Sequence, residues 1–178
     1  MCRNVKPRIV RHGFTMIELM IVVAIIAIAA AIVVPMTSSA GSMQLRAAVT
    51  MVAADLEYAK SMSISRGHRY AAVFTKTTES YQIEDLSEPV GDPNRIIDHP
   101  VRKGFKYIVN FATDSRLSQV DVVDANFDAT DTVSFDYLGS PLNGSDTNLN
   151  SGVITLRAGG ITRTVSVEPV TGYIAISN

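Results

Sequence analysis

Residues 14–34 read FTMIELMIVVAIIAIAAAIVV and hold one charged side chain, Glu18, before the run ends at Pro35. No other stretch limits the possible folds as tightly. As a helix, these residues would span roughly 30 Å, the thickness of a bilayer's hydrocarbon core. Arg3, Lys6, Arg8 and Arg11 precede the run with no acid among them. By the positive-inside rule they keep the N-terminus in the cytoplasm and send the C-terminal remainder outward.

Three readings compete. A secretory signal has a shorter apolar region followed by a small-residue cleavage site. Ala29, Ala30 and Ala31 supply small residues, but the run continues past them to Pro35. An uncleaved anchor accounts for the length and leaves Glu18 as a carboxylate near a helix end, snorkelling to the headgroups. The third reading gives Glu18 a role and rests on a resemblance described below. The chain's single cysteine, Cys2, excludes an intrachain disulfide and a Cys-based metal site. It stands before the apolar run, whereas a lipoprotein signal carries its cysteine after it.

A length of 178 residues suits one ordinary domain plus an N-terminal appendage. Of 16 Lys and Arg, four lie in residues 1–13, so 12 face 17 acids over residues 14–178, a net charge of −5. A mildly acidic body argues against a general nucleic-acid surface.

After Pro35, helical spacing returns. Leu45, Val49, Val52, Leu56 and Ala59 recur every three or four residues, with Gln44, Arg46, Asp55, Glu57 and Lys60 assigned to the other faces. The pattern predicts an amphipathic helix ending near Ser65, with Gly67 as its stop. One helix, straight or bent at Pro35, would then run from about 14 to 65. Strand patterns follow at 70–75, 80–84, 105–111, 119–123, 132–137, 153–157, 161–168 and 173–177, with loops at 85–104 and 139–152. The fold class expected is α+β: a long N-terminal helix packed on an antiparallel, sandwich-like β domain.

Gly13-Phe14-Thr15-Met16-Ile17-Glu18 before an uncharged run resembles the N-terminus of type IV prepilins. Further segments are similar to the GspH/FimT group of pilin-like proteins. They are Asp55–Ser61 before Tyr70–Phe74, the turn Phe135-Asp136-Tyr137-Leu138-Gly139-Ser140-Pro141, and Ile154–Leu156 through Val165–Gly172. The resemblance implies that prepilin peptidase cuts between Gly13 and Phe14 and that Phe14 becomes N-methylated. Residues 1–13 would be the leader, 14–34 a transmembrane and fibre-core helix, 35–66 its amphipathic periplasmic half, and 67–178 the β-rich globular domain. Pro35 falls where many pilins carry a helix-kinking proline.

Cleavage would free an α-amino group at Phe14, ordinarily protonated below about pH 8. In a bundle of such helices, Glu18 of one subunit could pair with a neighbour's N-terminus, and an unpaired charge there would be costly. The resemblance implies a structural role. The leading expectation is a minor pseudopilin near the tip of the type II secretion pseudopilus, which serves protein export. The alternative is a FimT-like minor type IV pilin, used in pilus assembly or DNA uptake. Its expected partners are other pilins or pseudopilins through the N-terminal helix, prepilin peptidase and the bacterial inner membrane.

Other chemistry finds little support. DNA-binding FimT proteins carry an Arg-rich C-terminal segment, and here Gly172-Tyr173-Ile174-Ala175-Ile176 has none, with Arg157 and Arg163 the nearby cations. Asp121, Asp124, Asp128 and Asp131 could attract calcium, but their spacing is not an EF-hand, and a solvated acidic loop is the simpler reading. His68 and His99 read as surface loop residues, and no catalytic or nucleotide-binding motif occurs. No enzyme activity, cofactor, metal or small-molecule substrate is expected.

Overall fold

The computed structural model describes residues 14–177; for residues 31–39 it describes the backbone alone. The chain divides into two units, Met1–Thr37 and Ser38–Asn178. Helix α1, Met16–Arg66, contributes to both and is continuous in its backbone across Pro35. The side chain of Pro35 and all of residues 1–13, including Gly13, lie outside the described residues.

Within the second unit, α1 buries the stripe the spacing predicts. Leu45, Val49, Val52, Leu56 and Ala59 are fully buried, joined by Ala48. Burying a Val or Leu side chain contributes about 1.5–3 kcal/mol, so this face alone accounts for much of the helix's attachment. Gly67 ends the helix at φ 73°, with its N–H donating to Ser63 O at 3.0 Å.

Nine strands follow. β1 (Tyr70–Thr75), β2 (Ser80–Asp85), β3 (Ile108–Asn110), β5 (Thr132–Phe135) and β6 (Pro141–Asn143) form a sheet ordered β3-β2-β1-β5-β6. β4 (Asp121–Phe127), β7 (Gly152–Ala158), β8 (Ile161–Val167) and β9 (Ile174–Ser177) form a second, ordered β4-β7-β8-β9. All strand pairs are antiparallel. β7 alternates inward Ile154, Leu156 and Ala158 with outward residues, the period-two pattern of a half-buried strand. One apolar cluster joins α1 to both sheets: Phe74, Tyr81 and Phe135 from the first, and Ile154, Leu156 and Val165 from the second.

The α+β class and the two packed sheets are as expected, and three local readings are corrected. The run 105–111 pairs as a strand only over Ile108–Asn110. The span 139–152, expected as loop, contains β6, which extends the first sheet beyond β5. β4 continues past the expected 119–123 to Phe127, so Asp124 joins Asp121 on a strand rather than in a loop. A tight turn at Asp128-Ala129 then passes the chain to β5 in the other sheet, Phe127 N donating to Thr130 O at 2.8 Å and Thr130 N to Phe127 O at 3.1 Å.

Near its start, the second unit is closed by contact at a glycine. A Cβ on Gly41 of α1 would lie 3.0 Å from the backbone nitrogen of Gly159, in the β7–β8 turn. Gln44 secures the same region, its Oε1 accepting from Gln119 N at 3.0 Å.

Candidate functional site

The first described residues form a helix cap. Thr15 Oγ1 accepts from Glu18 N at 3.2 Å, and Glu18 Oε2 accepts from Thr15 N at 3.5 Å. This reciprocal pair is a capping box, which satisfies two of the amides a helix leaves open at its N-terminus. The Thr-x-x-Glu signature is legible in the sequence, but the assembly reading of Glu18 passed over it. The two readings are compatible, since a carboxylate accepts several hydrogen bonds and the longer cap bond engages only one oxygen. Phe14 is 80% exposed, and Met16, Ile17, Leu19, Ile25 and Ile28 are exposed with it. Among the described residues, no helix is long and apolar enough to cross a membrane. The expected span includes residues 31–34, whose side chains lie outside the description.

A second carboxylate of α1 is treated differently. Asp55, assigned from the sequence to a solvated face, is only 9% exposed. Its Oδ2 accepts from the Tyr81 hydroxyl at 2.5 Å, and its Oδ1 from the Tyr107 hydroxyl at 2.8 Å. The cluster thus ties the helix to β2 and to the segment entering β3. Burial pushes the Asp55 carboxyl above its usual range, outweighing the two tyrosine hydrogen bonds that favour its charged form. Burial and the neighbouring Asp55 charge push both tyrosines well up. Tyr107 is also the middle ring of a stack, 5.6 Å from Tyr58 of α1 and 4.6 Å from His99. His99 is therefore not a free loop residue. His68 is not free either, with Nδ1 3.0 Å from Asp85 and its ring against Tyr70. Burial, together with Asp85, pushes the Tyr70 hydroxyl up to about 12.

Two of the sequence motifs meet at the C-terminal end of α1. Asp136 explains the Phe-Asp-x-x-Gly-x-Pro turn: its Oδ1 accepts from Leu138 N at 2.9 Å and Ser140 N at 2.8 Å. Gly172, from the second motif, packs on that turn so tightly that a Cβ would sit 2.7 Å from Gly139 O, and its own φ is 58°. Lys60 of α1 donates to Gly172 O at 3.0 Å and fixes the arrangement. Around this junction Ile64, Tyr137, Leu138, Val170 and Tyr173 are exposed. Val170 holds φ 65° while 79% exposed, a conformation β-branched residues rarely adopt.

The four aspartates do not converge. Asp121 faces Arg157 at 3.5 Å, and Asp131 accepts from Thr132 Oγ1 at 3.1 Å. Asp128 accepts from Asn150 N at 2.8 Å and Ser151 N at 3.0 Å, clamping the entry to β7. The Asn150 amide first, then Ser151 and the side chains of Asn143 and Asn150, hold its carboxyl below the usual range. Among the described residues no group of three or more His, Cys, Asp or Glu could hold a metal ion.

Comparison with known proteins fits both halves of this description. Residues 9–34 match the family described as the prokaryotic N-terminal methylation motif. No curated protein matches the chain in sequence. Among solved structures, the minor pseudopilin EpsH from the Type 2 Secretion System of Vibrio cholerae is similar in fold. Its TM-score is 0.51 at 9% identity, over 75% of this chain and 95% of that one. The type IV minor pilin FimU of Pseudomonas aeruginosa PAO1 gives 0.50 at 16%, over 77% and 90%. The fold of the second unit is thus similar to that of a minor pilin and a minor pseudopilin. The matched motif lies in the N-terminal segment, and the likeness to the two solved structures concerns the fold alone.

Proposed function

We propose that this chain is a minor pseudopilin, a structural subunit at the tip of a type II secretion pseudopilus. The observation that carries the reading is the methylation motif over residues 9–34, set before a domain with a minor-pilin fold. Prepilin peptidase removes residues 1–13 by cutting between Gly13 and Phe14, and Phe14 is N-methylated. The helix of residues 14–34 then waits in the inner membrane, with the β domain of residues 67–178 and the amphipathic half-helix of residues 35–66 in the periplasm.

Glu18 supports assembly in this reading. Its backbone and one oxygen belong to the Thr15 cap, and its remaining acceptor capacity faces outward from an exposed apolar helix. A neighbour's protonated N-terminus supplies the complementary charge. Pro35 is the expected site of a helix kink between the two halves in this reading.

The likeness to FimU favours a second reading, a FimT-like minor type IV pilin. DNA capture fits it poorly. The second unit carries 12 Lys and Arg against 16 acids, which is the whole chain's 16 and 17 less the four N-terminal cations and Glu18. Arg157 is moreover engaged by Asp121. Deletion of the chain in its own bacterium separates the two readings. Loss of exported proteins from the medium with surface pili intact supports the secretion role. Loss of pili with export intact replaces it with the second.

A further inference from the structure

The segment between β2 and β3 ends in a small hairpin. Asp98 and Lys106 bridge it in antiparallel register and form an ion pair at 3.0 Å, and His99 N donates to Phe105 O at 2.8 Å. One side chain organises the tip, residues 99–105 (HPVRKGF). His99 Nδ1 accepts from the backbone N–H of Val101 and from that of Arg102, both at 3.2 Å. Backbone amides only donate, so Nδ1 is the unprotonated ring nitrogen in this arrangement. Asn and Asp make such side-chain-capped turns with oxygens that stay acceptors near neutral pH. A histidine makes one only while its ring is neutral.

The same ring is locked into the domain. It lies on Tyr107 with 15° between the planes, and Tyr107 in turn stacks on Tyr58 and donates to Asp55. The tip it caps displays Val101 and Phe105, with the Arg102 guanidinium 4.9 Å from the Phe105 ring centroid.

We propose that His99 is a proton-responsive cap: in mild acid a proton taken from solvent onto Nδ1 removes the acceptor and releases the 99–105 tip. The added N–H then points at two backbone N–H groups, so the capped turn is lost rather than weakened. The nearest acidic side chains are already paired. Asp98 is held by Lys106, and Asp114, across the cleft that His99 lines, is held by Arg116 at 2.7 Å. Arg102 and Arg116 line that cleft and disfavour a second cation there, while Asp55, reached through Tyr107, favours it. Tyr107, stacked on the ring, has its hydroxyl pushed up by burial and the Asp55 charge and stays neutral at these pH values. The surface thus has two forms: an ordered tip presenting Val101, Phe105 and Arg102 near neutrality, and a loosened one in acid.

Hydrogen exchange of the full-length chain in detergent micelles, at pH 7.5 and 5.5, tests this. Histidine is the side chain whose charge changes between about pH 5 and 8, so this step favours the protonated ring. Peptides covering residues 100–105 should therefore lose protection several-fold, after correction for the intrinsic pH dependence of exchange. His99→Asn supplies an acceptor that does not titrate and should hold protection at both pH values. His99→Ala should be unprotected at both. A variant unprotected at both values still assigns the wild-type drop to residue 99. Unchanged protection in the wild type, or a drop that survives either substitution, overturns the proposal. The readout does not depend on how the N-terminus is processed.

Discussion

Helix α1 carries two carboxylates among apolar residues and satisfies them in opposite ways. Glu18 is exposed and, among the described residues, is held by its own helix through the Thr15 cap. Asp55 is buried and answers to distant parts of the chain, through Tyr81 and Tyr107. The apolar residues follow the same division. Met16 to Ile28 are exposed, whereas Leu45 to Ala59 fill a core that the chain completes for itself. A helix whose apolar face is closed within the chain can hold a carboxylate with internal donors. The other half leaves its apolar residues and its carboxylate uncovered among the described residues.

The sharpest way to break this contrast is to remove the buried carboxylate. Asp55→Ala leaves two buried tyrosine hydroxyls without the acceptor they share, at about 1–3 kcal/mol each. Denaturant unfolding of the second unit should show a loss of about 2–6 kcal/mol. Glu18→Ala should leave the same transition within about 0.5 kcal/mol. A small loss for Asp55→Ala, or an equal loss for both, would erase the distinction.

The pH dependence sharpens it. Burial raises the folded-state pKa of Asp55, so its neutral form is the one folding favours. The stability this contributes is complete below the unfolded carboxyl value, near 3.9, and is lost as pH rises through the folded value. Each unit of difference is worth about 1.4 kcal/mol. Asp55→Asn should flatten the stability profile above pH 4. Asp85, Asp114 and Asp128 have lowered values, and the stability they contribute is lost only as pH falls below that window. Equal slopes for wild type and Asp55→Asn above pH 4 would contradict the assignment.

Smaller effects probe the ends of the helix. Val170 holds a left-handed conformation beside the C-terminal junction, so Val170→Gly should gain about 1 kcal/mol in thermal or denaturant unfolding. Thr15→Ala should cost about 1 kcal/mol of local helix stability, seen as faster amide exchange at residues 16–19 with no change in the β domain. Spread of that change into the β domain would contradict a purely local cap.

Where local signals suffice, the sequence was readable. The buried stripe of α1, the stop at Gly67, and β1, β7 and β8 follow from three-and-four spacing, a left-handed glycine and simple alternation. Asp55 was not readable, because an acid within an amphipathic pattern looks solvated and its donors lie 26 and 52 residues away. β6 was missed because three residues beginning with proline carry no strand signal, and only pairing with β5 makes them one. The acidic run was misjudged for a related reason. Asp128 reads as loop charge, yet it serves as an acceptor for backbone amides more than 20 residues away. The capping box is local and legible, since Thr15 and Glu18 form a Thr-x-x-Glu signature directly before the apolar run.

The exposed half of α1 is the part whose role rests on other molecules, and its first residue decides the matter. Intact-mass and N-terminal analysis should be made on chain extracted from membranes that also contain prepilin peptidase. The expected product begins at Phe14 and carries one added methyl group on its amine. A chain that keeps residues 1–13, or begins anywhere other than Phe14, would contradict the pilin-type processing on which the proposed role depends.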